Sequence, residues 1–396
     1  MSGQLRESVT EHVHSANMSI RWKGVALVAA LAVGSSCAAS SRAPAPATEA
    51  RATANADAAA AIASIDWSAT DPIILVTIDG ARWQEIFEGT DTSLSHDRFH
   101  ASRELVPNLD RMARDRGAAI GAPGRGFIRA TGPNFVSLPG YTEILTGRAP
   151  IGCQDNTCPT ITTPTFLDDA HASGAKVAAF GSWEMLDHAV SSRPGSFPVS
   201  VGRSGADADV DPWPGVGNFR PDRLTAEAAL RHLASDKPDV LYVGLGEPDE
   251  YGHRNDYAGY LSALAYADAF VGRLMDTLDH MGPRGSRTHV IVTADHGRAR
   301  DFKGHGGGAP ESARVWLVAA GPSITARGRV VSSRERHLAD IAPTLRQLVG
   351  LAPLAPTRGP ELDRGWAGEP LGELFPSGHA GTSPIAQATP VPPSPQ

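Results

Sequence analysis

The stretch Ile73–Ile78 reads IILVTI and runs directly into Asp79 and Gly80. A continuous run of apolar and β-branched residues, without alternation, is typical of a parallel strand that is buried on both faces. Runs of the same kind recur along the chain, and they occupy Lys176–Gly181, Val240–Leu245, His289–Thr293 and Val315–Ala320. Helical spacing of apolar residues separates or follows them, in Val106–Arg116, Phe166–Ser173, Thr225–Ser235, Tyr257–Met281 and Leu338–Val349. This alternation predicts an α/β fold with a mostly parallel central sheet and helices on both faces.

The composition narrows the class of protein. The chain has 396 residues, of which 41% are hydrophobic and 20% are charged, and its formal net charge is −7. At this length, one large α/β domain with appended segments is the expected organisation. The mild acidity provides no basic surface for nucleic acid, and no apolar run reaches the ~18 residues of a membrane-spanning helix. The sequence therefore predicts neither a nucleic-acid-binding protein nor an integral membrane protein, and it carries no signal for an oligomeric state.

The N-terminal segment has the pattern of a secretory signal. The apolar run Val25–Val33 follows basic residues and precedes the small residues of Gly34–Cys37. We expect residues 1–37 to be a signal segment and the protein to be exported, with Met18 as an alternative start that gives a more ordinary signal length. Cys37 resembles the lipidated cysteine of a bacterial lipobox, although glycine stands three residues before it where leucine is usual. The expected location is periplasmic, either as a cleaved soluble form or with Cys37 as a lipid tether to the membrane.

The rest of the chain divides into three parts. Residues 38–70 are rich in Ala, Pro, Ser and Thr, which predicts a tether, and residues 71–376 contain the strand and helix patterns of the folded domain. Residues 377–396 end in PVPPSPQ and are expected to be a disordered tail. In an exported protein, Cys153 and Cys158 are expected to form a local disulfide. A metal site is the weaker alternative for them, because no third thiol remains once Cys37 belongs to the signal.

Carboxylates follow three of the predicted strands. Asp79 follows the first strand in TIDG, Asp249 follows Val240–Leu245 in GLGEPDEYGH, and Asp295 with His296 follows His289–Thr293 in VTADHG. An Asp before Gly is common in turns, and a single His is usually an ordinary surface residue. However, the carboxyl ends of parallel strands meet at one edge of the sheet, where functional residues collect. Three such endings therefore favour a functional site at that edge.

The residue types at this edge suit metal ions. Asp249 and His253 are four residues apart, so a helical turn would place both on one face. His305 lies in the glycine-rich sequence KGHGGG, where the backbone can approach a ligand closely. Mixed His and carboxylate ligands fit zinc, and less exclusively manganese or iron. These groups are too many for one tetrahedral ion, so they predict a two-metal site, which suits phosphoryl transfer.

A nucleophile is expected in the segment Asn134–Gly147, which reads NFVSLPGYTEILTG. Ser137 precedes Pro139 and a helical pattern, and a hydroxyl at a helix N-terminus beside a metal ion can act as an alkoxide. The alternative is that Ser137 only caps the helix, which is a common position for serine. Spacing alone does not decide between these two roles.

Taken in order, the motifs TIDG, NFVSLPGYTEILTG, EPDEYGH, ADHG and GHGGG resemble the alkaline phosphatase superfamily, and most closely its type I phosphodiesterase and nucleotide pyrophosphatase branch. The resemblance covers about Asp71 to Gly350 and implies a hydrolase with two zinc ions. One ion would be held by Asp249, His253 and His305, and the other by Asp79, Ser137, Asp295 and His296. Ser137 would form a covalent phosphoserine. Asn156 resembles the asparagine that contacts the phosphoryl group in that family, although the local spacing differs and an ordinary turn residue is the alternative.

The expected substrate is a small-molecule phosphate ester, and a phosphodiester in particular. A phosphomonoesterase is the first alternative. A sulfatase is less well supported, because Tyr141 stands where the arginine of the sulfatase C/S-x-P-x-R signature belongs. A phosphomutase fits an exported protein poorly, since its sugar phosphate substrates are mostly cytoplasmic. The alternative from another class is a non-catalytic lipoprotein that binds at the cell surface and keeps metal ions for stability.

Overall fold

A computed structural model describes residues 65–95, 98–203, 218–355 and 366–376. The predicted signal segment 1–37 with Cys37, the tether as far as residue 64 and the tail 377–396 lie outside these residues. The described chain begins before the predicted domain boundary at residue 71. Trp67 is buried, and its indole N–H donates to the Ser173 carbonyl oxygen at 3.2 Å, so the end of the predicted tether packs against the domain.

An eight-stranded sheet forms the centre, with the strand order β10-β2-β9-β7-β1-β6-β4-β5. Its strands are β1 (Ile73–Ile78), β2 (Gly117–Ile120), β4 (Val177–Gly181), β5 (Val199–Val201), β6 (Val240–Leu245), β7 (His289–Thr293), β9 (Leu317–Ala320) and β10 (Gly328–Arg329). All neighbours are parallel except β9, which runs antiparallel to both β2 and β7. The prediction of an α/β fold with a mostly parallel central sheet is confirmed.

Eleven α-helices lie in the described part of the chain. They are α1 (Trp83–Phe87), α2 (Ser102–Leu105), α3 (Pro107–Arg111), α4 (Ser137–Thr146), α5 (Phe166–Ala172), α6 (Asp187–Val190), α7 (Asp222–Asp236), α8 (Glu247–His253), α9 (Tyr257–His280), α10 (Pro283–Ser286) and α11 (Ile341–Val349). Short 3₁₀ turns precede some of them, and Leu338–Asp340 forms such a turn before α11. None of the helices within these described ranges is long and apolar enough to cross a membrane.

Two predicted elements differ in detail from the structure. The run Val315–Ala320 was expected to be one strand, but Trp316 separates β8 (Arg314–Val315) from β9. Strand β8 belongs to a second sheet of three strands with β3 (Ile128–Arg129) and β11 (Arg336–His337). The predicted helix Val106–Arg116 begins as α3 and continues as a π-helical turn over Met112–Arg116. In both cases the apolar pattern is correct, but hydrophobic periodicity does not report where the hydrogen-bonding partner changes.

The register of the three central strands brings the functional segments to one edge. Ile73 pairs with Val240 and His289, and Ile78 pairs with Leu245. Asp79 therefore leaves the sheet beside the start of α8 and beside the segment after β7. All residues of β1 are buried, as expected for a strand that is covered on both faces.

Candidate active site

Gly80 and Asp249 lie close together at this edge of the sheet. Gly80 has φ +62°, and a Cβ atom there would lie 2.3 Å from Asp249 Oδ1. A side chain at residue 80 would therefore push the Asp249 carboxylate away, so glycine is needed both for the backbone conformation and for space. The Gly80 amide also donates to Asp295 Oδ1 at 3.1 Å. The carboxylates of Asp249, after β6, and Asp295, after β7, therefore both lie against Gly80, which follows β1.

One group of side chains forms around His296. Its Nε2 atom lies 3.3 Å from Asp79 Oδ1, 3.4 Å from Asp295 Oδ2 and 3.2 Å from Ser137 Oγ. Ser137 Oγ also lies 3.4 Å from Asp79 Oδ1. All four residues are buried. These are the residues that the resemblance assigned to the ion that contacts the nucleophile.

A second group forms around Asp249 Oδ2. His253 Nε2 lies 2.9 Å from this oxygen and His305 Nε2 lies 3.7 Å from it, and the two Nε2 atoms are 3.1 Å apart. His305 also stacks on His296, with ring centroids 4.1 Å apart, so the two groups are adjacent. The structure therefore brings together all seven residues that the sequence analysis named as metal ligands.

The charges at the site depend on one another. Burial and the neighbouring Asp79 raise the pKa of Asp295 well above its usual range. Burial alone would lower the pKa of His296, but Asp295 and Asp79 outweigh it and raise the pKa to about 10. Burial and the nearby His296 lower the pKa of His305 to about 3. Burial opposes ionisation of Asp249, but Arg298 and His305 overcome it and hold its pKa well below the usual range. Close, buried carboxylates of this kind need a cation for compensation.

The donor set fits divalent metal ions. Ligand atoms of Asp79, Asp295 and His296 lie within 4.8 Å of one another, as do those of Asp249, His296 and His305. Asp295 Oδ2 is buried and has no hydrogen-bond partner among the described residues. An ion held by the first of these groups would provide that partner.

The imidazole orientations support the same conclusion. His296 Nδ1 donates to the Gly297 carbonyl at 2.8 Å, and His305 Nδ1 donates to the Phe135 carbonyl at 3.1 Å. These bonds leave Nε2 of each ring as the atom that faces the carboxylates. Metal-binding histidines are usually held in this way, because the second ring nitrogen donates to a carbonyl or carboxylate.

The nucleophile candidate is the first residue of α4. Val136 is the N-cap residue of this helix, and the Ser137 side chain makes no capping bond. It points instead at Asp79 and His296, so the capping role that the sequence left open is not the one observed. Another side chain caps the helix: Asn156 Oδ1 accepts a hydrogen bond from the Leu138 amide at 2.8 Å.

The segment that carries Asn156 is closed by a disulfide between Cys153 and Cys158. This is the pairing that the sequence analysis expected. Asn134, which precedes α4, also contacts this segment, because its Nδ2 donates to the Gln154 carbonyl at 2.9 Å. The disulfide segment therefore packs against the start of α4, and Asn156 is more than an ordinary turn residue.

Sequence reasoning missed two residues with direct contacts to the ligands. The Tyr141 hydroxyl donates to Asp79 Oδ2 at 2.6 Å, and Arg298 Nη1 donates to Asp249 Oδ1. Tyr141 was noted only because it breaks the sulfatase signature. Its spacing of four from Ser137 indicated the same helix face, and this signal could have been used. Arg298 had no comparable signal, because its partner is 49 residues away.

The fold and the site are similar to those of alkaline phosphatase-like metalloenzymes. Residues 216–353 match the family model described as Metalloenzyme superfamily. Five of the seven candidate ligands lie in this segment, namely Asp249, His253, Asp295, His296 and His305. The resemblance to the alkaline phosphatase superfamily is therefore confirmed at the level of the superfamily, and the phosphodiesterase branch stays a prediction.

Curated relatives match about a third of this chain. A 2,3-bisphosphoglycerate-independent phosphoglycerate mutase of Natronomonas pharaonis is 35% identical over 132 residues, which are 32% of this chain and 24% of the relative. The mutase of Syntrophotalea carbinolica is 34% identical over 128 residues, which are 32% of this chain and 23% of that protein. The chain thus spans about a quarter of the length of these curated relatives.

Solved structures of the same fold include a 2-O GAG sulfatase, with a TM-score of 0.53 and 16% identity over 72% of each chain. Lipoteichoic acid synthase LtaP of Listeria monocytogenes has a TM-score of 0.51 and 14% identity, over 76% of this chain and 78% of that chain. At these identities the similarity is one of fold.

Proposed function

We propose that this protein hydrolyses phosphoric esters, with small phosphodiesters preferred, through a phosphorylated Ser137. The observation that carries the proposal is the position of Ser137 Oγ, which lies 3.2 Å from His296 Nε2 at the N-terminus of α4. The hydroxyl belongs to one ligand set, and the other set is adjacent because His305 stacks on His296. A hydroxyl placed there suits covalent catalysis.

We propose zinc ions for the two ligand sets, with manganese as the alternative. The ligands would be Asp249, His253 and His305 on one side and Asp79, Ser137, Asp295 and His296 on the other. Bound ions would supply Lewis-acid stabilisation of the negative charge that develops on the transferring phosphoryl group.

The residues of the chain then have distinct roles. The Ser137 hydroxyl gives up its proton and its Oγ bonds to phosphorus, while the bond from phosphorus to the leaving alcohol breaks and that alcohol takes up a proton. With a diester, the phosphoryl group on Ser137 keeps its second ester, and water later cleaves the bond from Ser137 Oγ to phosphorus, which frees the serine and releases a phosphomonoester. Asn156 lies beside Ser137, with its carbonyl oxygen used by the Leu138 amide. Its NH₂ group is proposed to donate to a non-bridging phosphoryl oxygen, where a hydrogen bond stabilises developing charge. The positive end of the α4 dipole acts in the same direction.

The preference for diesters is supported by the positions of the arginines. A monoester dianion would favour an additional cation near the phosphoryl group. The segment Asn134–Gly147 contains no basic residue. Arg82 is buried and donates to Glu85 and Asp91, and Arg298 is engaged by Asp249. A diester has one ionised oxygen fewer and needs less compensation.

Hydrolysis of a phosphoric ester is proposed rather than hydrolysis of a sulfate ester or a mutase reaction, for two reasons. Tyr141 holds Asp79 where the sulfatase signature has arginine. The mutase relatives match this chain over only about a quarter of their own length, so their activity does not transfer as a whole. The disulfide between Cys153 and Cys158 supports an exported location, because disulfides persist in oxidising compartments. Attachment through Cys37 remains part of this proposal.

One assay panel tests the proposal. The purified protein is supplied with zinc or manganese and assayed with matched aryl phosphodiesters, phosphomonoesters and sulfate esters. We expect the highest kcat/KM for the diester, loss of activity with a chelator and recovery with added metal. A monoester preference of tenfold or more, which is about 1.4 kcal/mol in transition-state binding, would contradict the diester assignment. Absence of hydrolysis by metal-loaded protein would favour the non-catalytic binding protein.

A further inference from the structure

Arg298 is a buried cation beside one of the two ligand sets. Its side chain is fully buried, and it lies two residues after His296 on the segment after β7. A buried arginine normally requires a partner for each part of its guanidinium group. The partners of Arg298 therefore show what the residue does.

These partners belong to the Asp249 site. Arg298 Nη1 donates to Asp249 Oδ1, and Nη2 donates to the Lys303 carbonyl at 2.6 Å. The Nε–H donates to the Phe302 carbonyl. The loop of Lys303 leads directly into His305, so one guanidinium group joins Asp249 to the loop that carries His305.

The two carboxylate oxygens of Asp249 have different partners. Oδ1 is taken by Arg298, whereas Oδ2 faces His253 Nε2 at 2.9 Å and His305 Nε2 at 3.7 Å. The carboxylate is thus oriented for ligation through a single oxygen. Without Arg298 it could rotate or offer both oxygens.

Gly252 provides an independent observation. A Cβ atom at this residue would lie 2.3 Å from Arg298 Cζ. Gly252 is inside α8, between Asp249 and His253, where alanine would ordinarily favour the helix. The glycine leaves room for the guanidinium to lie across the helix between these two ligands.

We propose that Arg298 is a positioning residue for the metal ion held by Asp249, His253 and His305. It orients Asp249 for binding through Oδ2 and holds the loop of His305 in place. This inference rests on the proposed two-metal site and goes beyond it, because it assigns a role to a residue that acts through Asp249 and the loop of His305. The partners of metal ligands typically affect metal affinity by about 10–100-fold.

The test measures metal binding directly. Wild-type protein and the variants Arg298→Gln and Gly252→Ala are titrated with zinc by calorimetry, and bound zinc is counted after dialysis at a defined free zinc concentration. We expect two zinc ions in the wild type. In both variants we expect one site to weaken by about 10–100-fold while the other keeps its affinity. Gly252→Ala carries the test if Arg298→Gln does not fold, since it displaces the guanidinium and leaves the charge in place.

Arg336→Gln is the matched control. Arg336 is also buried and forms a two-point contact with a carboxylate, that of Glu373, outside the two ligand sets. Its loss should lower the stability but leave both zinc affinities unchanged. Wild-type zinc affinities in Arg298→Gln or Gly252→Ala would overturn the inference while leaving the proposed function intact. Equal weakening of both sites would show that the role is only structural. A wild-type protein that binds no metal would instead refute the proposed function.

Discussion

Tyr141 donates its hydroxyl hydrogen to Asp79 Oδ2 at 2.6 Å, while Asp79 Oδ1 faces Ser137 Oγ at 3.4 Å. The proposed nucleophile and the residue that holds its neighbouring carboxylate therefore lie on the same helix, four positions apart. Arg298 holds Asp249 through one oxygen in a similar way. In each case a buried donor takes one carboxylate oxygen and leaves the other turned toward the site.

Tyr141→Phe should destabilise the metal-free protein by about 1–3 kcal/mol, because Asp79 Oδ2 then loses a buried donor. The phenol is fully buried and burial is the main cause that raises its pKa well above the usual range, so it stays a donor at neutral pH. Urea unfolding in the presence of a chelator measures the effect. Tyr242→Phe is the control, since that buried hydroxyl contacts the neutral Thr77 Oγ1 at 2.8 Å and should cost less. Equal losses in the two variants would contradict the role of Tyr141.

Ser137→Ala should abolish turnover and leave the fold intact. The Ser137 side chain makes no capping bond, so the substitution removes the proposed nucleophile but no helix cap. Mass spectrometry of wild-type protein that is acid-quenched during turnover of a diester should find on Ser137 a phosphoryl group that keeps the second ester. Circular dichroism should show the same unfolding temperature for both proteins within a few degrees. Normal turnover by the alanine variant, or phosphate on another residue, would show that the nucleophile is misassigned.

Asn156→Asp should separate the two proposed roles of this side chain. Aspartate keeps the oxygen that accepts from the Leu138 amide and is a good helix cap, but it replaces the NH₂ donor with an acceptor. We expect near wild-type stability with a fall in kcat of about 10²-fold or more, as for loss of a transition-state donor. Asn156→Ala should lose both the helix cap and the NH₂ donor, and the loss of the cap should lower the free energy of unfolding by about 1 kcal/mol. A fully active aspartate variant would leave Asn156 with the cap alone.

Glu143 should make stability depend on pH. It is fully buried in α4 and accepts hydrogen bonds from the Thr131 amide at 2.8 Å and the Ala339 amide at 3.0 Å. Burial raises its pKa from 4.5 to about 7. The folded state then holds this proton more tightly than the unfolded state, so the free energy of unfolding falls as pH rises from about 4.5 to about 7.

The matched variant for this effect is Glu143→Gln. Relative to it, wild type should lose about 3 kcal/mol of stability between pH 4.5 and pH 8, since each unit of pKa difference corresponds to about 1.4 kcal/mol. Urea unfolding of both proteins across this range provides the measurement. A difference between them that stays constant with pH would refute the prediction.

The sequence predicted those features that a short segment encodes by itself. The continuous apolar pattern of Ile73–Ile78 identifies a buried parallel strand, and the Asp that follows it identifies the edge of the sheet. Asp249 and His253 share a face because a helix brings residues four apart together. The disulfide could be predicted for the same reason, since Cys153 and Cys158 are separated by only five positions.

The tertiary structure decided the contacts between distant segments. Three examples are the antiparallel pairing of β9 with β7, the capping of α4 by Asn156 and the contact of Arg298 with Asp249. Each brings together parts of the chain that no local periodicity connects. The sequence alone left open whether Ser137 caps its helix or faces the ligands. The packing of α4 against the carboxyl ends of β1 and β7 settles this, because it turns the hydroxyl toward Asp79 and His296. Residue types and their spacing determine which groups are available, whereas the distances on which their chemistry depends arise only when the whole sheet is assembled.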